Sequence, residues 1–161
     1  MTARSRPLPD RIEVATPRLA AVLARFVGRL PEPARRRALQ AAFDRARDAF
    51  NRGDLEAVFA LFAENVEYSP PPPLHDGPPL HGRAAVFDFW RDVHNRYDTS
   101  TIANLTIQES APGRFVRRAR LQHRSTTGKT LSYTIIQTTH LAQGRVVRQI
   151  NLLDPAPRTE R

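Results

Sequence analysis

Cysteine is absent from the 161 residues, which removes disulfides, thiolate nucleophiles and cysteine-ligated metals together. Lysine is nearly absent. Lys129 is the only one, so the net charge of +9 is carried almost wholly by arginine. No apolar run approaches the roughly 20 residues that span a bilayer. The N-terminus lacks a signal-peptide pattern, so a cytoplasmic protein is expected, with no membrane partner. Tryptophan occurs once, at Trp90.

The length is that of one domain able to enclose a core with room for a pocket. The charge invites a nucleic-acid reading, but its distribution argues otherwise. Residues 1–37 hold nine arginines and three acids, a balance of +6 that leaves only +3 for the rest. Arginine standing for lysine throughout is more simply a coding bias than a phosphate-binding design. No recognition helix or aromatic–basic strand accompanies it, so nucleic acid is not expected as a partner.

Residues 1–15 read as a flexible arm. Thr16-Pro17 offers an N-cap and a first-turn proline. Leu19, Val22, Leu23, Phe26, Val27 and Leu30 then follow at helical spacing. That helix reads as an addition packed on its own domain or a partner subunit, in preference to a membrane-surface helix. Residues 1–33 thus form an arm and an extra helix, residues 34–154 the main domain, and residues 155–161 a disordered tail.

From Ala34 a longer helix carries Leu39, Ala42, Phe43, Ala46 and Phe50 on one stripe. Gly53 is a left-handed terminator for it. Asp54 caps a second helix expected over Leu55 to Phe62. A strand from Asn65 to Ser69 runs into residues 70–82, whose six prolines favour stiff, extended backbone without ladder pairing. A rigid rim over a cavity mouth is the expected role. Gly82 to Tyr97 is the next helix, with Val86, Trp90, Val93 and Tyr97 on one face. From Ser100 the pattern turns to period two in four segments, Thr101–Glu109, Arg114–Arg124, Thr130–Leu141 and Arg145–Leu153. Short Gly-containing connections make them an antiparallel meander. Helices first and strands after give an α+β layering.

Phe50-Asn51-Arg52-Gly53-Asp54-Leu55, Leu61-Phe62-Ala63-Glu64-Asn65-Val66, His81-Gly82-Arg83 and Gly144-Arg145-Val146-Val147 leading to Leu153-Asp154 carry a resemblance. With this element order, residues 34–154 resemble the SnoaL-like group of the nuclear transport factor two-like fold. The resemblance implies a cone-shaped half barrel, three helices packed on a curved, mainly antiparallel sheet, whose open end holds an apolar ligand cavity. The group includes ketosteroid isomerases, polyketide cyclases, limonene epoxide hydrolases, scytalone dehydratases and non-catalytic binding modules, and the fold alone does not choose among them.

Ketosteroid isomerases need an aspartate base before the proline that ends the first strand, and a tyrosine in the first helix. Ser69 and Ala46 stand there. Without an adjacent base, a serine hydroxyl cannot replace that carboxylate. Limonene epoxide hydrolases use an arginine and an aspartate two apart on one strand and a second aspartate on the last. The resemblance sets Arg118 on the arginine, Arg120 on the first aspartate, Asn151 on the second, and Tyr68 on a tyrosine that helps hold the nucleophilic water. An amide cannot accept the water's proton and arginine stays charged, so standard epoxide hydrolysis is disfavoured.

The same alignment implies that Arg118, Arg120 and Gln122 point inward with Tyr133, Ile135, Gln137, Gln149, Asn151 and Leu153. The outer face then holds Ala119, Leu121, Thr134, Ile136, Ile150 and Leu152, together with His123 and His140. Two partly apolar faces suggest a homodimer packed sheet to sheet. Two inward guanidiniums without a carboxylate are costly unless a ligand supplies one. The alternative is a one-residue slip that turns both arginines to solvent and gives Phe115, Ala119 and Leu121 to the core.

The histidines show no metal-ligand spacing, and no metal or cofactor is expected. His81, near the family's cavity mouth, is the one acid–base candidate. The functional expectation is an isomerase, cyclase or lyase acting on an apolar, oxygenated polyketide or terpenoid, with a small apolar or anionic ligand. Arg118 and Arg120 would stabilise developing charge, Tyr68 and Asn151 would orient the substrate or a water, and Trp90, Tyr133, Ile135, Gln149, Leu153 and His81 would line the site. The rivals are a non-catalytic ligand-binding or protein-interaction module and a basic surface binder using the N-terminal arm.

Overall fold

The computed structural model describes residues 30–155. The expected arm, nearly all of the extra helix and most of the tail lie outside them. The elements are α1 (Glu32–Asn51), α2 (Leu55–Phe59), β1 (Phe62–Ser69), β2 (Leu80–His81), α3 (Arg83–Arg96), β3 (Thr99–Ala111), β4 (Arg114–Arg124), β5 (Thr130–Ala142) and β6 (Arg145–Leu153). They build an α+β fold on one open, curved six-stranded sheet of order β2-β1-β6-β5-β4-β3. The meander β3 to β6 is antiparallel throughout, whereas β1 joins β6 in parallel.

The chain between α1 and α2 is set by two residues. Gly53 holds φ at +75°, where a Cβ would be strained. The Asp54 side chain accepts a hydrogen bond from the Ala57 N–H at 3.3 Å and caps α2. The second helix is shorter than its apolar spacing predicts. It stops at Phe59, and Phe62 opens β1 opposite Val146. The two phenylalanines, three apart, meet edge to face at 4.9 Å, so their spacing reflects packing across a helix–strand junction.

Asn51, at the end of α1, grips the edge strand β3. Its Nδ2 donates to the Ile102 carbonyl at 3.1 Å, and its Oδ1 accepts from the Ile102 N–H at 2.7 Å. One side-chain amide thus supplies what a neighbouring strand would. It ties α1 across the sheet and covers part of an otherwise open edge. Phe50, Trp90 and His94 then interlock at ring separations between 4.8 and 6.4 Å, joining α1 to α3 over the sheet.

The proline stretch behaves differently from expectation at its end. Leu80 and His81, just past the last proline, regain N–H donors and pair with Tyr68 and Glu67 as β2. Gly82 follows with its N–H on the Val66 carbonyl at 2.8 Å and φ at +92°, which turns the chain into α3.

The face assignment of β4 needs correction. Phe115, Arg117, Ala119, Leu121 and His123 are buried, while Arg118, Arg120 and Gln122 are exposed. The physical reason is the length of the β4–β5 connection. Arg124 pairs with Thr130, which leaves the five residues 125–129 between them. An odd connection puts odd-numbered residues opposite odd ones, and side chains alternate along each strand. Since Tyr133, Ile135 and Gln137 point inward on β5, Leu121, Ala119 and Arg117 must do so on β4. The alternative of a one-residue slip is the one realised. Thr134, Ile136, Ile150 and Leu152 do lie on the outer side, but Ala119, Leu121 and His123 do not.

Candidate functional site

Between α1 and the inner face of the sheet lies a cavity of about 180 Å³. Its wall is mostly apolar: Phe43 and Phe50 from α1, Phe59 and Phe62 around α2, Trp90 from α3, and Ile102, Leu121 and Ile135 from the strands. The volume falls below the range of about 300–1,000 Å³ typical of drug-sized ligand pockets, so it suits a one- or two-ring skeleton. A larger groove of about 460 Å³ runs between α2 and α3 past Glu56, Glu64, Arg83 and Asp88. Its carboxylates are exposed, and it lacks convergent buried polar groups. The smaller, deeper cavity is the better site.

The polar atoms of that cavity come from four strands: Tyr68 on β1, Arg117 on β4, Gln137 and Thr139 on β5, and Gln149 on β6. Strand register assembles them, because Thr139 stands opposite Gln149 and Gln137 opposite Asn151. Gln137 Nε2 donates to Asn151 Oδ1 at 2.8 Å, and Asn151 Nδ2 donates to the Ser69 carbonyl at 2.7 Å. Asn151 therefore fixes Gln137 and the end of β1 from behind the cavity wall. Trp90 Nε1 donates to the Tyr68 hydroxyl at 2.8 Å. This occupies one lone pair of a phenol whose own proton can serve Asn151, Gln149 or a ligand. Burial raises the Tyr68 pKa well above the ordinary tyrosine value, so the group is a neutral donor.

Arg117 is the one charge on this wall among the described residues. Only 7% of its surface is exposed, and no ion pair to it occurs among the described residues. One guanidinium nitrogen donates to Asn104 Oδ1 at 3.0 Å, and the group lies over the Phe43 ring at 5.5 Å from its centroid. Its Nε is buried without a hydrogen-bond partner. Burial lowers its pKa from 12.5 to about 10, which still leaves it charged at neutral pH. A β-bulge in β3 between Asn104 and Thr106 re-aims the edge strand beside it. Asn104 Nδ2 in turn reaches Asp44 Oδ1 at 3.3 Å.

Of the residues named from sequence, Tyr68, Trp90, Ile135 and Gln149 line the cavity. The others sit elsewhere. Arg118 is on the outer face in an ion pair with Asp154, and Arg120 is exposed there. His81 is exposed on β2, and no residue from 70 to 82 lines the cavity, so the proline stretch is not its rim. Leu153 ends β6 38% exposed. Tyr133 is buried beside the cavity and is bound to His123 Nε2 at 3.1 Å, while His123 Nδ1 meets Ser100 Oγ at 3.0 Å. Burial pushes the His123 pKa down to about 4, with His94 adding to the effect. Arg117, Asn104 and Thr139 went unrecognised, although the odd β4–β5 connection is legible in the sequence and gives Arg117 directly.

The sequence signature of the SnoaL-like domain matches residues 42–149. The chain belongs to the SnoaL-like domain family. No curated protein matches it. Among solved structures this SnoaL-like domain is similar to TerC co-crystallised with polyporic acid, at 19% identity and TM-score 0.60 over 71% of this chain and 89% of that one. It is also similar to a candidate polyketide cyclase of Xanthomonas campestris pv. campestris, at 21% identity and TM-score 0.60 over 71% and 89%. An epoxide hydrolase of M. tuberculosis, like the limonene enzymes, gives 11% identity and TM-score 0.59 over 71% and 80%. At these identities the likeness carries the nuclear transport factor two-like fold alone. Within this SnoaL-like domain the inward pair two apart on β4 is Arg117 and Ala119, an arginine without the acid. No helix among the described residues is long and apolar enough to cross a membrane.

Proposed function

We propose that this SnoaL-like domain binds a small apolar, carbonyl-bearing molecule of polyketide or terpenoid type in the cavity under α1. There it promotes cyclisation or isomerisation by stabilising negative charge on a substrate oxygen. The observation that supports this most is Arg117, a buried guanidinium with an unbonded Nε on an apolar wall. A fixed charge in a water-poor cavity acts strongly on charge that develops during reaction. Tyr68, its hydroxyl already accepting from Trp90, is the second donor. Gln137 and Gln149 orient the substrate by hydrogen bonds, and Phe43, Phe50 and Ile135 shape its apolar body.

The test is turnover of a panel of poly-β-ketones and cyclic enones, followed by mass spectrometry for products that are isobaric with substrate or lighter by one water. Arg117→Gln is expected to lower turnover by about 10²–10³-fold, the scale of losing one oxyanion donor, while Arg118→Gln leaves it unchanged. Binding without turnover of any panel member would overturn the catalytic reading in favour of a ligand-binding module. The absence of Asp, Glu and His from the described cavity wall lends that rival its weight. The reading also includes a homodimer through the outer sheet face, where Ile136, Ile150 and Leu152 are at least partly exposed. Sedimentation of the wild type against Leu152→Glu checks it, with a monomeric wild type counting against it.

A further inference from the structure

We infer that the ligand of this cavity enters already ionised, as a planar oxyanion such as a carboxylate or the enolate of a 1,3-dicarbonyl, and that Asn104 is the positioning residue that aims Arg117 at it. The inference rests on the proposed pocket and narrows its substrate class. Two independent observations carry it.

The first is chemical. A neutral ketone must lose an α-proton before it can become an enolate, and some group must take that proton. The residues that line the cavity include no Asp, Glu, His or Lys among those described. Arg117 is a cation and Tyr68 a neutral phenol; neither accepts a proton there. His123 lies off the wall with both ring nitrogens engaged by Ser100 and Tyr133. A ligand that arrives ionised makes no such demand.

The second is geometric. A buried guanidinium that lacks an acid is costly, and here it is held rigidly. Asn104 bonds one terminal nitrogen, the guanidinium carbon lies over the Phe43 ring at 5.5 Å from its centroid, and Nε is left without a partner. Asn104 is itself fixed, its Nδ2 within 3.3 Å of Asp44 Oδ1 and 3.5 Å of the Phe43 carbonyl. The forked N–H donors of a guanidinium match the spacing of two oxygens on one carbon, or of a delocalised 1,3-diketonate. A neutral carbonyl offers one weaker acceptor.

Titration calorimetry with two matched pairs tests this: 2-naphthoate against 2-naphthamide, and 4-hydroxycoumarin, ionised at neutral pH, against 4-methoxycoumarin. The expected result is that the anion of at least one pair binds about 10–100-fold more tightly than its neutral counterpart, the scale of a charge-assisted hydrogen bond. A preference in one pair alone names carboxylate or enolate as the source. Arg117→Met, with folding checked by thermal melt, should reduce the ratio to near one while neutral affinity persists. Asn104→Asp should do the same, because it places a competing carboxylate against the guanidinium, a result that a purely structural role for Asn104 does not give. Neutral and anionic probes binding equally to the wild type would overturn the inference and leave the pocket reading standing. An unchanged ratio in both variants would also overturn it. Failure of all four probes to bind would overturn both.

Discussion

Replacing Arg117 by methionine removes a charge that the fold holds at a cost, and the size of that cost follows from the structure. Burial lowers the guanidinium pKa from 12.5 to about 10, which disfavours the charged form by about 3 kcal/mol relative to water. Methionine keeps an unbranched apolar stem in the same space. What is lost is one hydrogen bond to Asn104 and the packing over Phe43, together worth about 1–2 kcal/mol. The variant should therefore be more stable by about 1–2 kcal/mol, a rise in Tm of about 3–6 °C for a domain of this size. Thermal melts by circular dichroism and urea midpoints at constant slope measure it, in the absence of ligand. A melting temperature several degrees below the wild type would refute the reasoning. It would mean that the guanidinium already has a compensating partner in the protein, and the case for an anion-binding role would go with it. A residue kept at a stability cost is the pattern of a functional group.

Other outcomes can be measured alongside. Burial holds the His123 pKa near 4 against 6.5, so the unfolded chain takes up a proton that the folded one refuses. That contribution to stability is full above pH 6.5 and is lost as pH falls toward 4, by about 3 kcal/mol. His94 pushes the same way, and the neighbouring Tyr133, its pKa raised by burial, carries no charge in this range. His123→Gln should flatten the slope between those pH values, and identical urea midpoint profiles would count against it. Tyr68→Phe leaves the buried Trp90 indole N–H without its acceptor, a loss of about 1–3 kcal/mol, and should shift tryptophan fluorescence. Asn51→Ala releases both backbone groups of Ile102. It should speed hydrogen exchange there and cost about 1–3 kcal/mol in denaturant melts.

The fold was readable because its local signals agree. The Gly53–Asp54 junction, the alternation of the four late strands and their short connections each point to the same α+β layering. The helix-to-strand change at Phe59 and Phe62 was hidden because a spacing of three serves both a helix stripe and a packed junction. The site was less readable. Aligning Arg118 and Arg120 by motif outweighed the odd connection at 125–129, and a shift of one residue moves every side chain of β4 to the other face. Asn104 could not be found, because its place beside Arg117 depends on a bulge that leaves no local mark in the sequence.

The parallel pairing of β1 with β6 has a kinetic consequence. Tyr68 meets Gln149 across the sheet, yet α3 and the strands β3 to β5 lie between them in the chain. Joining these two strands closes a long loop, whose entropy must be met before their contacts reward it, and such non-local pairings slow folding. During synthesis, α1, α2 and β1 emerge early, but apart from the two-residue β2 on one edge, β1 has no strand neighbour until β6 has left the ribosome. Tyr68 and Gln149 are on the cavity wall and are brought together by this last pairing, so the wall is completed at the end of folding. A chain stopped at Ala142 would lack Val146 and Gln149 from the cavity wall.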